Sequence, residues 1–162
     1  KEMKTVDGAL ELTFNEAVGD NSDGTEMAGF AIAGEDMKFQ PAKVTHKVVG
    51  QSGRKAQYGK TVLVLSSPLV ERPAHYRYAW GRNPMGDIQR SVRFGNTVML
   101  PTQRSDNWSN ADLLKALTGI DAEDPGQLSR GENNALRAAL AKEDQRRILA
   151  EAKDTLEQAS AD

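Results

Sequence analysis

The residue types that most often carry acid–base or nucleophilic chemistry are sparse in this chain. Its 162 residues include two histidines and no cysteine, and neither a Gly-x-Ser-x-Gly nor a His-Glu-x-x-His run is present. His46 alternates in register with Val44 and Val48, which favours a core or edge histidine over a metal ligand. His75 shares a polar strand face with Arg77, and no carboxylate at local spacing can orient its ring. The sequence therefore predicts no catalytic residue, no metal site and no cofactor.

Four acidic residues in predicted loops are the remaining candidates for chemistry. A pair drawn from Asp20, Asp23, Asp36 and Asp87 would suit glycoside cleavage, and the stretch 20–23 would suit a weak Ca²⁺ site. Loops commonly use Asp to bond their own backbone in turns. We therefore interpret these residues as turn formers.

Aromatic residues supply the clearest candidates for binding. Tyr76, Tyr78 and Trp80 alternate along one predicted strand and should share a face. Aromatic faces can stack on sugars, but three large side chains on one strand face favour core packing in a sandwich. Residues on predicted loops are better placed to meet a partner, and with Trp80 they form the predicted binding set: Arg82, Asn83, Asn107 and Trp108.

The elements that would position these residues are strands up to about Trp108. Apolar residues recur there at every second position, in short runs separated by turn residues. The predicted strands cover residues 9–14, 30–32, 38–40, 42–48, 61–66 and 74–80, while 50–60 and 81–87 are interpreted as loops. About seven short strands without helical periodicity predict an antiparallel β-sandwich, either immunoglobulin-like or jelly-roll-like.

After Trp108 the pattern becomes helical. Ser109 is a predicted N-cap and Gly119 a predicted stop for a first short helix. Ser129 and Glu132 form a predicted capping box for a second helix over about 130–158, whose thin apolar stripe is typical of a surface helix. We therefore predict a mainly β chain, with a sandwich domain over 1–108 and a helical C-terminal extension over 109–162.

Charge and hydropathy exclude some partners. The net charge is −2, with net +2 on residues 1–100 and net −4 on residues 101–162, so no nucleic-acid partner is predicted. No apolar run approaches the roughly 18 residues that a membrane span needs. Because the chain begins at Lys1 and runs directly into a strand pattern, we expect it to be a piece of a longer protein.

Three ordered blocks of the sequence resemble one family. Residues 29–42, GFAIAGEDMKFQPA, resemble the stretch GFxIAGxDxxFxPA near the end of sialate O-acetylesterases. Residues 65–84 resemble that family's SPxVxxPxxVRYAWxxNP segment, and Arg104–Trp108 resembles its closing FRTDxW. The match covers about residues 10–108, and it departs from the family at Gln103, where the family has Phe.

The resemblance implies a part of such an enzyme rather than the whole of it. The family is similar to serine esterases of the SGNH class, with a nucleophile in a Gly-Asp-Ser-like block and a base in an Asp-x-x-His block. Here Gly19-Asp20-Asn21 lacks the serine of the nucleophile block. The Asp-x-x-His block is also missing, because the residues three positions before His46 and His75 are Lys43 and Arg72 rather than Asp. The implied identity is a non-catalytic C-terminal domain, inactive alone, that braces an upstream SGNH-type catalytic domain and shapes its substrate site.

The same resemblance implies a substrate and a location for the parent enzyme. The parent would be a carboxylic ester hydrolase acting on O-acetyl esters of sialic acid or related sugars, and it would be secreted, periplasmic or in the cell envelope. Two alternatives stay open. The chain could be a carbohydrate-binding module that uses exposed aromatic residues, or an oligomerisation domain that uses its C-terminal helix.

Overall fold

The computed structural model describes residues 2–19, 27–53, 55–80, 86, 88–91 and 97–159. The chain divides into two compact units. The β-unit comprises Lys1–Glu35 and Phe39–Asp106, and the helical unit comprises Asp36–Lys38 and Asn107–Asp162. Compactness does not show that either unit folds alone, so separate domains over 1–108 and 109–162 stay a prediction.

Short antiparallel strands build the β-unit. Their bounds are β1 Glu2–Val6, β2 Ala9–Thr13, β3 Phe30–Ala33, β4 Gln40–Pro41, β5 Lys43–Ser52, β6 Lys55–Ser66, β7 His75–Tyr78, β8 Gln89–Ser91, β9 Thr97–Met99 and β10 Gln103–Arg104. The first turn shows how the sequence sets the pairing. Asp7 and Gly8 have φ values of 47° and 76°, which is the two-residue hairpin turn that Asp-Gly favours, and it joins β1 to β2 in antiparallel register.

Within the described residues the strands form two four-stranded sheets and a two-stranded ribbon. The sheet orders are β1-β2-β6-β5 and β10-β7-β3-β4, and the ribbon is β8-β9. In the immunoglobulin nomenclature, β1, β2, β5 and β6 correspond to strands A, B, D and E, and the first sheet has the order ABED. The strands β3, β4, β7 and β10 correspond to C, C′, F and G, and the second sheet has the order GFCC′. This is the immunoglobulin arrangement, with the β8-β9 ribbon inserted between β7 and β10. The predicted antiparallel β-sandwich with a helical C-terminal extension is confirmed, and of its two variants the strand order is the immunoglobulin-like one.

The core of the sandwich is filled by alternate residues of both sheets. Leucines from β2 and β6 face aromatic and aliphatic side chains from β3 and β7, and all are buried: Leu10, Leu12, Leu63, Leu65, Phe30, Ile32, Tyr76 and Tyr78. Phe30 packs against Tyr78 with ring centroids 4.7 Å apart. Burial of this alternating set is the main stabilising contribution in the β-unit.

The hairpin of β5 and β6 is longer than the sequence pattern predicts. The interpretation of residues 50–60 as a loop is wrong, because β5 runs to Ser52 and β6 starts at Lys55. Register shifts between His46 and Lys47 and between Val48 and Gly50 break the alternation. Val48 is consequently 55% exposed rather than in line with buried Val44. The two strands pair through this polar part of the hairpin, where side-chain periodicity gives no signal of a strand.

The helical unit follows its predicted caps. Helix α1 spans Asn110–Thr118, with a capping box of Ser109 and Asp112 at its start and Gly119 at a φ of 77° at its end. Helix α2 spans Arg130–Ala159, and the Ser129 amide donates to Glu132 at 2.6 Å. Leu113, Leu114 and Leu136 form the buried centre of the unit. Neither helix has a stretch apolar and long enough to cross a membrane in the described part of the chain.

On the outer face of the first sheet, Glu11 is held by two lysines. Lys47 Nζ lies 2.7 Å from one carboxylate oxygen and Lys4 Nζ lies 3.1 Å from the other, and Glu11 is 6% exposed. The hydrogen bond from Lys47 is the largest influence and lowers the pKa of Glu11, burial opposes it, and Lys4 lowers it further. The folded protein therefore favours the ionised form of the Glu11 carboxyl group over its protonated form.

Replacing this carboxylate should make stability depend less on pH. We expect Glu11→Gln to lower the free energy of unfolding by about 1 kcal/mol near neutral pH. Since the folded pKa lies below the ordinary value of 4.5, the stabilisation is complete above that value and is lost as the pH falls through the folded pKa. Urea unfolding of both proteins should show a gap near neutral pH that closes in acid. Glu2→Gln on exposed β1 is the control, and a gap constant with pH would contradict the assignment.

Candidate functional site

Strand β7 divides its side chains between the core and the outer face of the second sheet. Tyr76 and Tyr78 are 5% and 0% exposed, and the Tyr78 hydroxyl accepts a hydrogen bond from the Ile88 amide at 3.0 Å. Because side chains alternate along a strand, His75 and Arg77 lie on the opposite, outer face. That outer face carries the polar residues of the candidate site.

Arg77 is fixed there by a bidentate ion pair with Asp106. Its Nε donates to Oδ2 at 2.9 Å and its Nη2 donates to Oδ1 at 2.7 Å. The Arg77 side chain is 14% exposed and the Asp106 side chain is 0% exposed, while Phe39 lies under the guanidinium at 4.1 Å. The pair joins β7 to the segment after β10, so it connects two of the sequence blocks that resemble sialate O-acetylesterases.

Arg104 lies beside Arg77 on the same face, since the two residues are opposite each other in the β10–β7 register. Its Nη1 lies 3.8 Å from Asp106 Oδ1, and its Cζ lies over the Trp80 ring at 4.9 Å from the centroid. Trp80 itself is 51% exposed. This arrangement, named here the Trp80–Arg104 pair, presents an open aromatic surface next to a guanidinium group.

A backbone feature explains why Trp80 is exposed. The prediction that Trp80 shares a face with Tyr76 and Tyr78 is wrong, because Ala79 between them adopts a φ of 47°. The Ala79 amide donates to the Gly29 carbonyl at 2.9 Å, which holds this conformation. A left-handed residue ends the strand alternation and turns the next side chain away from the core, and in a non-glycine residue it carries strain.

The other predicted binding residues are distributed differently. Arg82 and Asn83 lie outside the described residues. Asn107 is exposed, and Trp108 packs against the centre of the helical unit. Trp80 belongs to the β-unit, whereas Asn107 and Trp108 belong to the helical unit. Of the predicted set, Trp80 combines an exposed ring with a charged neighbour, and that neighbour, Arg104, was not in the set.

The two histidines have different surroundings. His46 is 7% exposed, and its Nε2 donates to the Val18 carbonyl at 2.8 Å, which confirms the interpretation as a core histidine. His75 Nε2 lies 3.6 Å from Glu35 Oε1, a contact that the sequence interpretation missed because Glu35 is distant in sequence. The pairing of Ala33 with His75 brings it near. That distance is too long for a hydrogen bond that would orient the ring.

The acidic loop residues do not form a metal site in the described part of the chain. Asp36 accepts a hydrogen bond from the Lys38 amide at 3.3 Å, as expected of a turn former. Asp20, Asp23 and Asp87 lie outside the described residues. Among the residues that the structure describes, no three His, Asp or Glu side chains are grouped to hold a metal ion.

A cleft of about 360 Å³ opens in the β-unit where the end of β2 meets the approach to β10. Its lining mixes apolar and polar side chains: Phe14, Asn15, Glu16, Val18, Leu100, Pro101 and Gln103. The volume lies in the range of small-molecule sites. Gln103, opposite Tyr78 in the register, occupies the position where the resembling family has Phe. The cleft joins segments distant in sequence, so no local motif indicates it.

Comparison with solved structures relates this chain to a carbohydrate esterase. It matches the crystal structure of a carbohydrate acetylesterase from Xanthomonas citri with a TM-score of 0.50 and 25% sequence identity. The match covers 67% of this chain and 22% of that one, so this chain spans about a fifth of the length of the matched protein. No protein-family model and no curated protein matches the sequence. The chain is thus similar to part of a carbohydrate acetylesterase.

Proposed function

We propose that this chain is a non-catalytic accessory domain of a carbohydrate esterase. The observation that carries the proposal is the structural likeness to part of a carbohydrate acetylesterase. The Arg77–Asp106 ion pair supports it, because it joins two separate blocks that resemble sialate O-acetylesterases. At the finer level, the chain is the C-terminal domain of an enzyme that hydrolyses O-acetyl esters of sialic acid or related sugars, in a secreted, periplasmic or cell-envelope location.

The proposed division of labour follows from the chemistry of ester hydrolysis. Acyl transfer needs a nucleophile, a base that activates it and donors that stabilise the oxyanion. The proposal assigns these groups to an SGNH-type domain elsewhere in the same protein. The contribution of this chain is a rigid sandwich that braces that domain. The connection between β7 and β10 borders the substrate site; it carries Trp80 and the β8-β9 ribbon.

Acetate release tests the proposal directly. Three proteins are compared on an O-acetylated sialic acid and on an aryl acetate: this chain, the parent protein extended upstream of Lys1, and the upstream part without this chain. We expect no release by this chain, release by the extended protein, and lower or less heat-resistant activity without the accessory domain. Acetate release by the purified chain alone would overturn the proposal, as it would require a nucleophile within these 162 residues.

The second candidate function is a carbohydrate-binding module. The observation that favours it is the Trp80 ring, which is 51% exposed and therefore available for stacking on a sugar. Trp108 contributes less to this candidate, because it packs against the helical core. A module of this kind would bind sugar without releasing acetate. The two candidates are compatible if the domain both braces the enzyme and holds its glycan.

A further inference from the structure

We propose that the far end of the β5–β6 hairpin is the surface through which this chain docks on the catalytic domain of the same protein. This end, named here the β5–β6 extension, comprises residues 47–52 of β5 and 55–59 of β6. The inference rests on the proposed accessory function and deepens it by naming the contact surface and the charge of its partner, which is an acidic patch on the catalytic domain.

The β5–β6 extension reaches beyond the four-stranded part of the first sheet. Strand β2 pairs with β6 over Val62–Leu65, whereas residues 47–52 and 55–59 pair with each other. Among the described strands, no third strand pairs with residues 55–59. A two-stranded hairpin is only marginally stable in water without further packing. Burial against another surface would therefore stabilise this end of the hairpin.

The β5–β6 extension carries three large apolar side chains that are exposed. Val48 and Tyr58 are opposite each other in the register, so they are neighbours on one face, and they are 55% and 58% exposed. Val49 is 62% exposed. It lies against Gly59, where an added Cβ would be 2.7 Å from Val49 Cγ1. Exposed apolar side chains grouped in this way mark an interaction surface.

The charge around these side chains selects the partner. Residues 37–70 contain six lysine and arginine residues and no aspartate or glutamate. Lys47 is paired with Glu11, and Lys43 and Lys60 are exposed. A cationic surface favours an acidic partner and disfavours another cationic one. The extension of a second copy is cationic as well, so a symmetric contact between two extensions is disfavoured.

The size of the surface favours a partner in the same protein. Three apolar side chains form a small contact for a stable complex between separate chains. A tethered partner needs less contact area, because the tether gives it a high effective concentration. The match to the carbohydrate acetylesterase covers 22% of that protein, so a protein of that size has ample chain for such a partner. Under the proposed function that partner is the catalytic domain.

The test measures how fast a thiol reagent modifies a cysteine placed on this surface. The 162-residue chain has no cysteine of its own, and Val48→Cys adds one while keeping a small apolar side chain there. We expect its modification to be at least about tenfold slower in the parent protein extended upstream of Lys1 than in the 162-residue chain, because docking removes the site from solvent. Peptide mass spectrometry identifies the modified position in the longer protein. Added salt should speed the modification there.

Matched variants separate docking from folding. Tyr58→Ser, added to Val48→Cys, should restore fast modification in the extended protein and leave the unfolding midpoint of the 162-residue chain unchanged, because Tyr58 is exposed. Leu149→Ser, at an exposed position in α2, should not restore it. Ile120→Cys, at an exposed position outside the surface, should react equally fast in both proteins.

The outcomes distinguish this inference from the accessory function on which it rests. Equal modification of Val48→Cys in the two proteins would overturn the docking surface, while acetate release and its heat resistance would still decide the accessory role. Slow modification in the 162-residue chain that depends on its concentration would assign the surface to a second copy and overturn the proposal. Slow modification in an extended protein that releases no acetate would support the docking surface and overturn the esterase function.

Discussion

Asp106→Asn is expected to lower the free energy of unfolding by about 3–5 kcal/mol, because it leaves the charge of Arg77 buried without a counter-charge. Asparagine has nearly the same shape, but it removes the negative charge and replaces one of the two oxygens that accept from Arg77 by an NH2 donor. The Asp106 side chain is 0% exposed and that of Arg77 is 14% exposed, so little water is available to replace the lost interaction. Urea unfolding followed by near-ultraviolet circular dichroism of the buried tyrosines provides the measurement.

Asp121→Asn is the matched control for that substitution. Asp121 pairs with Lys115 at 2.6 Å, but the two side chains are 74% and 66% exposed, so solvent screens the pair. No measurable change in the unfolding midpoint is expected. The double variant Arg77→Leu with Asp106→Leu should recover part of the loss, since it removes both buried charges. Equal effects of Asp106→Asn and Asp121→Asn would show that the buried pair does not hold β7 to the segment after β10.

Leu114→Ala is expected to destabilise the helical unit by about 2–5 kcal/mol through loss of buried methyl groups and the cavity left behind. Leu114 is 0% exposed at the centre of that unit. In a Trp80→Phe background Trp108 is the remaining one of the two tryptophans, and its fluorescence reports on the core against which it packs. Denaturant unfolding followed by this fluorescence and by helical circular dichroism measures the effect.

Leu140→Ala provides the comparison for Leu114→Ala, because Leu140 lies in α2 and is 43% exposed. The same side-chain truncation there should change stability by less than about 0.5 kcal/mol, as at most exposed positions. Similar losses in the two variants would mean that Leu114 does not form the centre of this core.

Local signals predicted both helices and several of the strands, but not the short strands β8, β9 and β10 or the extended hairpin of β5 and β6. The helices begin and end where side-chain chemistry places them, with Ser109 and Asp112 satisfying the first amides of α1 and Gly119 accepting the left-handed conformation at its end. The alternation in β2 likewise acts over a few residues. Such interactions can be predicted from sequence because both partners are close along the chain.

The candidate site depends on interactions that no local pattern contains. Arg104 meets Trp80, and Asp106 meets Arg77, because β10 pairs with β7 in the second sheet. That sheet order is decided by the packing of the whole core. The orientation of Trp80 depends on one strained residue, Ala79, which nothing in the alternating pattern marks. The sequence therefore suggested an aromatic binding residue without the cation beside it.

The position of Met37 determines where the gene can be cut to separate the sandwich from the helices. It lies in the connection between β3 and β4, yet it belongs with the helices and packs against the core of Leu113, Leu114 and Leu136. A gene cut after residue 108 would remove the helices and so expose the Met37 side chain to solvent. The helices transplanted alone would lack a side chain that helps close their core. The helices thus cannot be transferred to another sandwich by one fusion point after residue 108. The loop that contains Met37 has to be transferred with them.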